Sequence, residues 1–347
     1  MVTARRKQLA DTPVQQNLFS VAAPLAGKTF SIGETSIYQT DVQSLYEDWP
    51  TPTVIVSDGA YGLGLFPGDP HTAQGLADWY QPHIEAWSQY ATPETTLWFW
   101  NSELGWATVH PLLVKLGWNY VSCHIWDKGI AHAAGNSNTQ TLRKFPVVTE
   151  VCVQYVREAR IAGLTLQDWL RREWERSGLP LYKANDACGV KNAATRKYLT
   201  KDHLWYYPPP DAFEKLAAYA NEHGKPEGKP YFSADGQTPI STEKWAKMRS
   251  KFYCKAGITN VWREPALNGQ ERVKVANRSV HLNQKPLKLI EMAIEASSDK
   301  GDVVWEPFGG LCTAALASIR LERRCVSAEI QRDFYELAVR RLQYYGL

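Results

Sequence analysis

Two short stretches of this sequence put polar residues where chemistry is usually done. The first is Ile55-Val56-Ser57-Asp58-Gly59-Ala60-Tyr61-Gly62. An apolar run, read as a buried strand, breaks abruptly into Asp, Gly and Ala, the pattern of a strand ending in a tight loop. Open α/β sheets bind their ligands beyond that end of their strands. There Asp58 could accept a hydrogen bond from an amino group and Tyr61 could stack on a ring; an Asp-Gly turn beside a packing tyrosine fits the same residues. The second stretch runs Val303-Val304-Trp305-Glu306-Pro307-Phe308-Gly309-Gly310-Leu311-Cys312-Thr313. It reads as strand, glycine loop and start of a helix. Glycines let a backbone approach a ligand closely, and a helix N-terminus offers unpaired N–H groups. Glu329 closes the next strand-like run, RCVSAE, about 20 positions after the loop, where an acidic residue grips ribose hydroxyls in dinucleotide sites. A plain tight turn and a solvated carboxylate fit those residues as well.

The elements that must hold these stretches alternate in type. After a short extended run ending in TSIYQTD and a helical turn at DVQSLYEDW, the text reads strand (TVIVS), helix (GLADWYQPHIEAWSQYA, with Pro82 starting or kinking it) and strand (TTLWFWN). Helix WATVHPLLVKLG and strands WNYVSCHIWDKG and FPVVTEVCVQYVR follow. Strands alternating with helices predict a parallel sheet wrapped by helices. From about residue 158 the texture turns charged and helical. LYKANDACGVKNAATRKYLT reads as two short helices around a turn at Cys188-Gly189-Val190, a helix-turn-helix pattern. After Tyr253 the α/β alternation resumes. The expected division is a lead-in over 1–27, an α/β half over 28–157, a helical insert over 158–252 and a second α/β half over 253–347.

Composition narrows the class. The 347 residues are 44% hydrophobic and 22% charged, with a net charge of +3, so any basic surface must be local. Six scattered cysteines without a CxxC pair argue against a zinc site and against a disulfide framework, and no metal is expected. A reducing cytoplasm is the default setting. No apolar run approaches the ~18 residues of a membrane span, and the polar, basic start lacks the apolar core of a signal peptide. The 14 tryptophans are read mainly as core.

Asp58-Gly59-Ala60-Tyr61 resembles the (D/N/S)PPY catalytic motif of DNA amino-methyltransferases. Glu306-Pro307-Phe308-Gly309-Gly310 resembles their DPFxGxG cofactor loop, and His281-Leu282-Asn283-Gln284-Lys285-Pro286 resembles the HPxxKP segment before it. Their order (catalytic motif, insert, HxxxKP, cofactor loop) is that of the permuted β group, and the likeness covers about residues 30 to 345. The resemblance implies a Rossmann-like α/β methyltransferase sheet, circularly permuted, with a helical target-recognition insert. It implies S-adenosylmethionine as methyl donor, held by Asp41, Lys285, Pro286, Glu306, Pro307, Phe308, Gly309, Gly310, Cys312, Thr313 and Glu329. In that arrangement Asp41 meets the adenine and Lys285 with Pro286 covers the methionine end, while Trp126 and Lys128 stand near the site without carrying the chemistry. Three departures stand out: Gly59 and Ala60 replace both prolines, Cys312 replaces the last glycine of FxGxG, and Glu306 replaces Asp.

An exocyclic amino nitrogen is a weak nucleophile, so the enzyme must position it. The implied catalytic set is Ser57, Asp58, Gly59, Ala60 and Tyr61. Asp58 and the Gly59 carbonyl accept the two amino N–H groups of an extruded base, and Tyr61 stacks on it. Asp58 fills a slot that is usually Asp in adenine enzymes; Ser57 next door and the overall form tilt the reading slightly to cytosine N4, with adenine N6 as the alternative. Lys191, Asn192, Thr195, Arg196 and Lys197 are expected at base edges of double-stranded DNA, with Lys183 and Lys201 on phosphates. A cognate restriction endonuclease is the partner such a protein implies. An RNA or small-molecule methyltransferase, or a decayed DNA-binding protein, are the other classes the same residues admit.

Overall fold

The computed structural model describes residues 27–345 apart from 65, 67, 134–141, 268–270, 276–277 and 280–283. His281, Leu282 and Asn283, and all of the lead-in except Gly27, therefore lie outside the described residues. Nine runs of chain join one sheet: β1 (Thr29–Ile32), β2 (Thr35–Tyr38), β3 (Val54–Ser57), β4 (Thr96–Asn101), β5 (Trp118–Asp127), β6 (Thr149–Arg157), β9 (Val261–Arg263), β12 (Val303–Glu306) and β13 (Arg324–Ala328). Two small hairpins, β7 (Arg160–Ile161) with β8 (Leu164–Thr165) and β10 (Lys274–Val275) with β11 (Arg278–Ser279), stand apart from it.

The central strands β3, β4 and β12 are buried along their whole length, as near-continuous apolar runs must be when both faces of a sheet are covered. Side chains alternate between the faces. Val54, Val56, Trp98 and Trp100 join a core with α8 (Leu287–Ser297), α9 (Thr313–Arg320) and α10 (Arg332–Tyr345). Ile55, Leu97, Phe99 and Trp305 join the other, with α1 (Leu76–Tyr90) and α2 (Glu103–Lys115). Pro82 lies inside α1, not at its start. All 14 tryptophans are buried or half-buried.

The sheet order is β1-β2-β13-β12-β3-β4-β6-β5-β9. Strands β2, β13, β12, β3 and β4 are mutually parallel. The expectation of a wholly parallel sheet is corrected at β6, which runs antiparallel to both β4 and β5, and at β1. Strand direction leaves no mark on an apolar pattern. The reversal has a consequence: the first residues of β6 reach the same edge as the last residues of β4 and β5. Chain leaves β12 through α9 to β13 on one side and leaves β3 through α1 to β4 on the other, so the topological switch lies between β12 and β3. Because β3 precedes the insert and β12 follows it, the two halves of the sheet are permuted along the chain.

The insert carries its own hydrophobic cluster, from Ala159 to Trp245. It is built on α3 (Leu166–Arg176), α4 (Lys183–Cys188), α5 (Ala193–Lys197), α6 (Pro210–His223) and α7 (Thr242–Ala246). Trp245 is stacked between Phe213 and Tyr207, with ring centroids 4.2 and 4.6 Å away. Among the described residues no helix is long and apolar enough to cross a membrane.

Candidate active site

Five parallel strands deliver their carboxyl ends to one edge, and the residues singled out from the sequence gather there. Asp41 follows β2, Glu329 follows β13, Glu306 ends β12, Asp58 follows β3 and Asn101 ends β4. Neighbouring strand ends are bonded directly: the Glu329 amide donates to the Tyr38 carbonyl at 2.9 Å.

The catalytic loop holds its shape without the two prolines. Asn101 Nδ2 and the Tyr80 hydroxyl both donate to the Ala60 carbonyl, at 2.8 and 3.1 Å. Gly59 is needed for close approach: a Cβ there would sit 2.7 Å from Phe308 Cδ2 and 2.8 Å from the Tyr80 hydroxyl. The loop after it is stapled by Asp69, whose carboxylate accepts from the Gly62 and Leu63 amides at 3.0 and 3.3 Å. Among the described residues nothing donates to the Gly59 carbonyl. Ser57 is fully buried at the end of β3, beneath the loop, and its hydroxyl has no hydrogen-bond partner among the described residues.

Asp58 belongs to a buried charge cluster. Its Oδ1 accepts from Lys285 Nζ at 2.8 Å and from the Tyr61 hydroxyl at 3.0 Å; its Oδ2 has no partner among the described residues. Glu150, second residue of β6, closes the cluster from the opposite side. Its Oε2 lies 3.2 Å from the Tyr61 hydroxyl and 3.3 Å from Lys285 Nζ, and its Oε1 pairs with Lys128. Burial pushes the Asp58 carboxyl upward, against the pull of the Lys285 ammonium beside it. Burial works upward on Glu150 too, but Lys285 and Lys128 together hold its carboxyl below the ordinary range. Lys285 is 2% exposed, and its two carboxylate partners keep the ammonium charged in spite of burial. Tyr61 is also buried, with that ammonium 5.0 Å from its ring centroid, so the ring's stacking surface is already partly covered. Lys285, expected from the sequence at the cofactor, is thus placed against the catalytic loop. Lys128 lies one contact further out, with its ammonium 4.8 Å from the Trp126 ring centroid.

The cofactor loop is held by backbone. Glu306 caps the start of α9, accepting from the Ala314 and Ala315 amides at 2.7 and 3.1 Å. Glu329 accepts from the Gly310 and Gln331 amides, each at 2.7 Å. Burial pushes both carboxyls up to about 7. Gly309 packs against the end of β13, where a Cβ would meet Ser327 Oγ at 2.7 Å. Cys312 sits at φ 51°, ψ 53°, the left-handed region that favours glycine, so a cysteine holds a conformation suited to glycine there. The Thr313 hydroxyl accepts from Arg341 of α10 at 2.9 Å and faces away from the edge. Phe308 follows Pro307 into a nest of Trp79, Tyr80, His83 and Trp87. Asp41 caps a single turn, accepting from the Gln43 amide at 3.0 Å, and Pro286 caps α8.

These contacts discriminate between ligands. The amides of Gly309, Gly310, Cys312, Ala314 and Ala315 all donate within the protein, so the loop has few N–H groups left for a phosphate. The edge is instead lined with carboxylates: Asp41, Asp58, Glu306 and Glu329. That set of acceptors fits a phosphate-free nucleoside carrying a positive charge, and so fits S-adenosylmethionine better than a dinucleotide.

In the insert, two expected DNA contacts already have partners within the protein. Lys183 pairs on the surface with Asp186 at 2.9 Å, and half-buried Thr195 donates to the Leu181 carbonyl at 3.1 Å. Lys191, Asn192, Arg196, Lys197 and Lys201 are exposed; Lys201 stands 4.0 Å from Glu175. The signals missed from the sequence are Glu150, Asn101 and Tyr80, each polar and next to an apolar run, but with no spacing that ties them to Asp58.

Comparison with known proteins agrees with this architecture. Residues 53–340 match the N6/N4 DNA methylase family model, and the chain belongs to that family. It is 28% identical over 141 residues to the type II methyltransferase M2.MboI of Moraxella bovis, a match covering 39% of this chain and 45% of that protein. It is 27% identical over 154 residues to the type II methyltransferase M.ScaI of Streptomyces caespitosus, covering 42% and 51%. The matched stretches thus span about half the length of these relatives. The fold is that of the PvuII cytosine-N4-specific DNA methyltransferase, with TM-score 0.51 and 12% identity over 90% of this chain and 91% of that one.

Proposed function

We propose that this chain transfers a methyl group from S-adenosylmethionine to the exocyclic amino nitrogen of a base extruded from double-stranded DNA, at a specific sequence. The observation that carries the reading is a pair of acceptors on one clamped loop that have no partner among the described residues: Asp58 Oδ2 and the Gly59 carbonyl. An amino group has two N–H donors, and two acceptors at adjacent residues can hold both. That contact draws electron density back onto a nitrogen whose lone pair is delocalised into the ring. When bound, S-adenosylmethionine supplies the sulfonium methyl: the N–C bond forms, the C–S bond breaks, and the amino nitrogen must shed one proton. Asp58, its carboxyl raised by burial, is the group placed to take it. Glu329, the glycine loop and Asp41 hold the nucleoside part of the donor. Loop rigidity comes from Asn101 and Tyr80, which stand in for the missing prolines.

The target base reads as cytosine N4, on likeness of form to cytosine enzymes, with adenine N6 as the other outcome. Ser57 lies buried under the loop, and its hydroxyl has no hydrogen-bond partner among the described residues, so Asp58 is the acceptor this reading relies on for either base. The insert offers an exposed basic face for DNA. Tyr206 donates its amide to the Lys197 carbonyl at 2.7 Å, which folds Lys201, His203 and exposed Tyr206 back beside Arg196 and Lys197. Basic residues interleaved with an exposed aromatic suit a phosphate backbone and a base. A restriction endonuclease with the same recognition sequence is the partner this function implies.

The test is methylation of mixed-sequence duplex DNA with labelled S-adenosylmethionine, then nucleoside digestion and mass spectrometry. Label in N4-methylcytosine supports the reading in full, and label in N6-methyladenine reverses the base but keeps the mechanism. No label on duplex, with label on RNA, rejects it. For the insert, Arg196→Ala should weaken specific DNA binding by about 1–3 kcal/mol while cofactor affinity is unchanged. An equal fall in cofactor affinity would reject a recognition role.

A further inference from the structure

We propose that Glu150 is a positioning residue for methyl transfer: it holds Lys285 and Tyr61 on one oxygen of Asp58 and so keeps the other oxygen open for the target amino group. This rests on Asp58 being the acceptor, as proposed above.

The geometry has three parts. Strand β6 is antiparallel, so Glu150 near its start reaches the catalytic edge. Its Oε2 stands 3.3 Å from Lys285 Nζ and 3.2 Å from the Tyr61 hydroxyl, the two groups that also touch Asp58 Oδ1 at 2.8 and 3.0 Å. Its Oε1 is tied to Lys128, which fixes the carboxylate from behind. A buried ammonium seeks every carboxylate oxygen within reach. Without Glu150, Lys285 would be drawn further onto Asp58, toward both of its oxygens, and would compete with the substrate. Glu150 divides that attraction. Two carboxylates against two lysines also leave the cluster with no net buried charge.

The groups facing Asp58 are Lys285 from the start of α8, Tyr61 from its own loop, Glu150 from β6, Tyr80 from α1 and the neutral Cys152 thiol; Lys128 acts through Glu150. Glu150's negative charge helps to keep the Asp58 carboxyl high. Its removal should therefore let Asp58 ionise at lower pH.

Glu150→Gln keeps the shape and removes the charge. The expected result is a kcat about tenfold lower or more, KM and Kd for S-adenosylmethionine within about twofold of wild type, and the acid limb of the kcat profile moved to lower pH. Glu150→Asp, which restores the charge, should bring the acid limb back. A wild-type kcat in Glu150→Gln overturns the proposal. So does a fall in kcat matched by an equal loss of cofactor affinity with the acid limb unmoved, which is the mark of general damage. A second readout needs no turnover: the carboxyl of Asp58, followed by ¹³C NMR in the cofactor-free protein, should titrate lower in Glu150→Gln. An unchanged titration sinks the proposal. If the carboxyl shifts but the wild type methylates no DNA, the coupling stands and the DNA reading falls.

Discussion

Two loops meet at the carboxyl edge of the sheet, and they are held in opposite ways. The cofactor loop, Glu306 to Thr313, is fixed by buried carboxylates that accept backbone amides from nearby in the chain. Ala314 lies 8 residues from Glu306, and Gly310 lies 19 from Glu329. The catalytic loop, Asp58 to Tyr61, is fixed by side chains from far away. Lys285 is 227 residues from Asp58, Glu150 is 89 from Tyr61 and Asn101 is 41 from Ala60. A loop whose amides are held by carboxylates close to it in the chain forms whenever its strands and helix form. A loop held by distant side chains forms only when the whole sheet is assembled, and it can be rebuilt by changing strands that carry no motif. The two loops touch where Phe308 packs on Gly59.

If the loops are independent in this sense, damage to one should spare the other's task. The largest effect expected is at Asp58. Asp58→Asn keeps the size of the side chain, removes its charge and leaves Lys285 with Glu150. The rate of methyl transfer should fall by about 10²–10⁴-fold, while S-adenosylmethionine binds within about twofold of wild type by calorimetry, the Asp58 contacts all lying on the catalytic side. A loss of cofactor affinity as large as the loss of rate would show that the two loops form one site, and the comparison would fail.

That contrast also explains what the sequence made legible. The order of strand, loop and helix around Glu306 and Glu329 is local, so spacing pointed to Glu329 and the glycines, and likeness to the family's cofactor loop pointed to Glu306. Asp58 was visible as the polar residue ending a buried strand. Glu150 was not, because it opens a strand whose direction depends on pairing with β4 and β5, and a reversed strand exchanges which of its ends meets the site. Thr195 and Lys183 have the composition of DNA contacts, but each also has a partner that composition does not reveal: Thr195 the Leu181 carbonyl, and Lys183 the surface carboxylate of Asp186. Cys312 departs from the family's motif, and it stands at the start of α9 in the left-handed region that glycine adopts most readily.

An intermediate effect should separate the loops by pH. Glu306 and Glu329 titrate at about 7 in the folded chain, against 4.5 for an unperturbed carboxyl. Between these values the unfolded chain has released protons that the folded chain retains. Their contribution to stability is therefore complete below 4.5 and is lost as pH rises through about 7. At most it is on the order of 3 kcal/mol per group. His83 and His124, held down to about 4 by burial, act in the opposite sense below 6.5, so the difference between two proteins is the informative quantity. Melting temperature measured from about pH 5 to 8 should fall less steeply in Glu306→Gln than in wild type. Parallel slopes would mean that Glu306 stays ionised throughout, its charge held by the amides at the start of α9.

The smallest effect is expected at Cys312, where three terms nearly cancel. A non-glycine residue in the left-handed region costs roughly 1–2 kcal/mol, and Cys312→Gly removes that cost. Glycine loses more conformational freedom on folding, by roughly 0.5–1 kcal/mol. The buried sulfur, 3.5 Å from Ser327 Oγ, would also be lost, at roughly 1 kcal/mol for a group of that size. Cys312→Gly should therefore match wild type within about 1 kcal/mol in denaturant unfolding, with unchanged cofactor affinity. Cys312→Val is the sharper companion. A β-branched residue tolerates the left-handed region poorly, so it should be clearly less stable than either, and its cofactor affinity should fall with the geometry of the loop. If glycine weakened cofactor binding as much as valine did, the cysteine side chain itself would be what the loop requires. The cofactor loop would then depend on side chains, as the catalytic loop does.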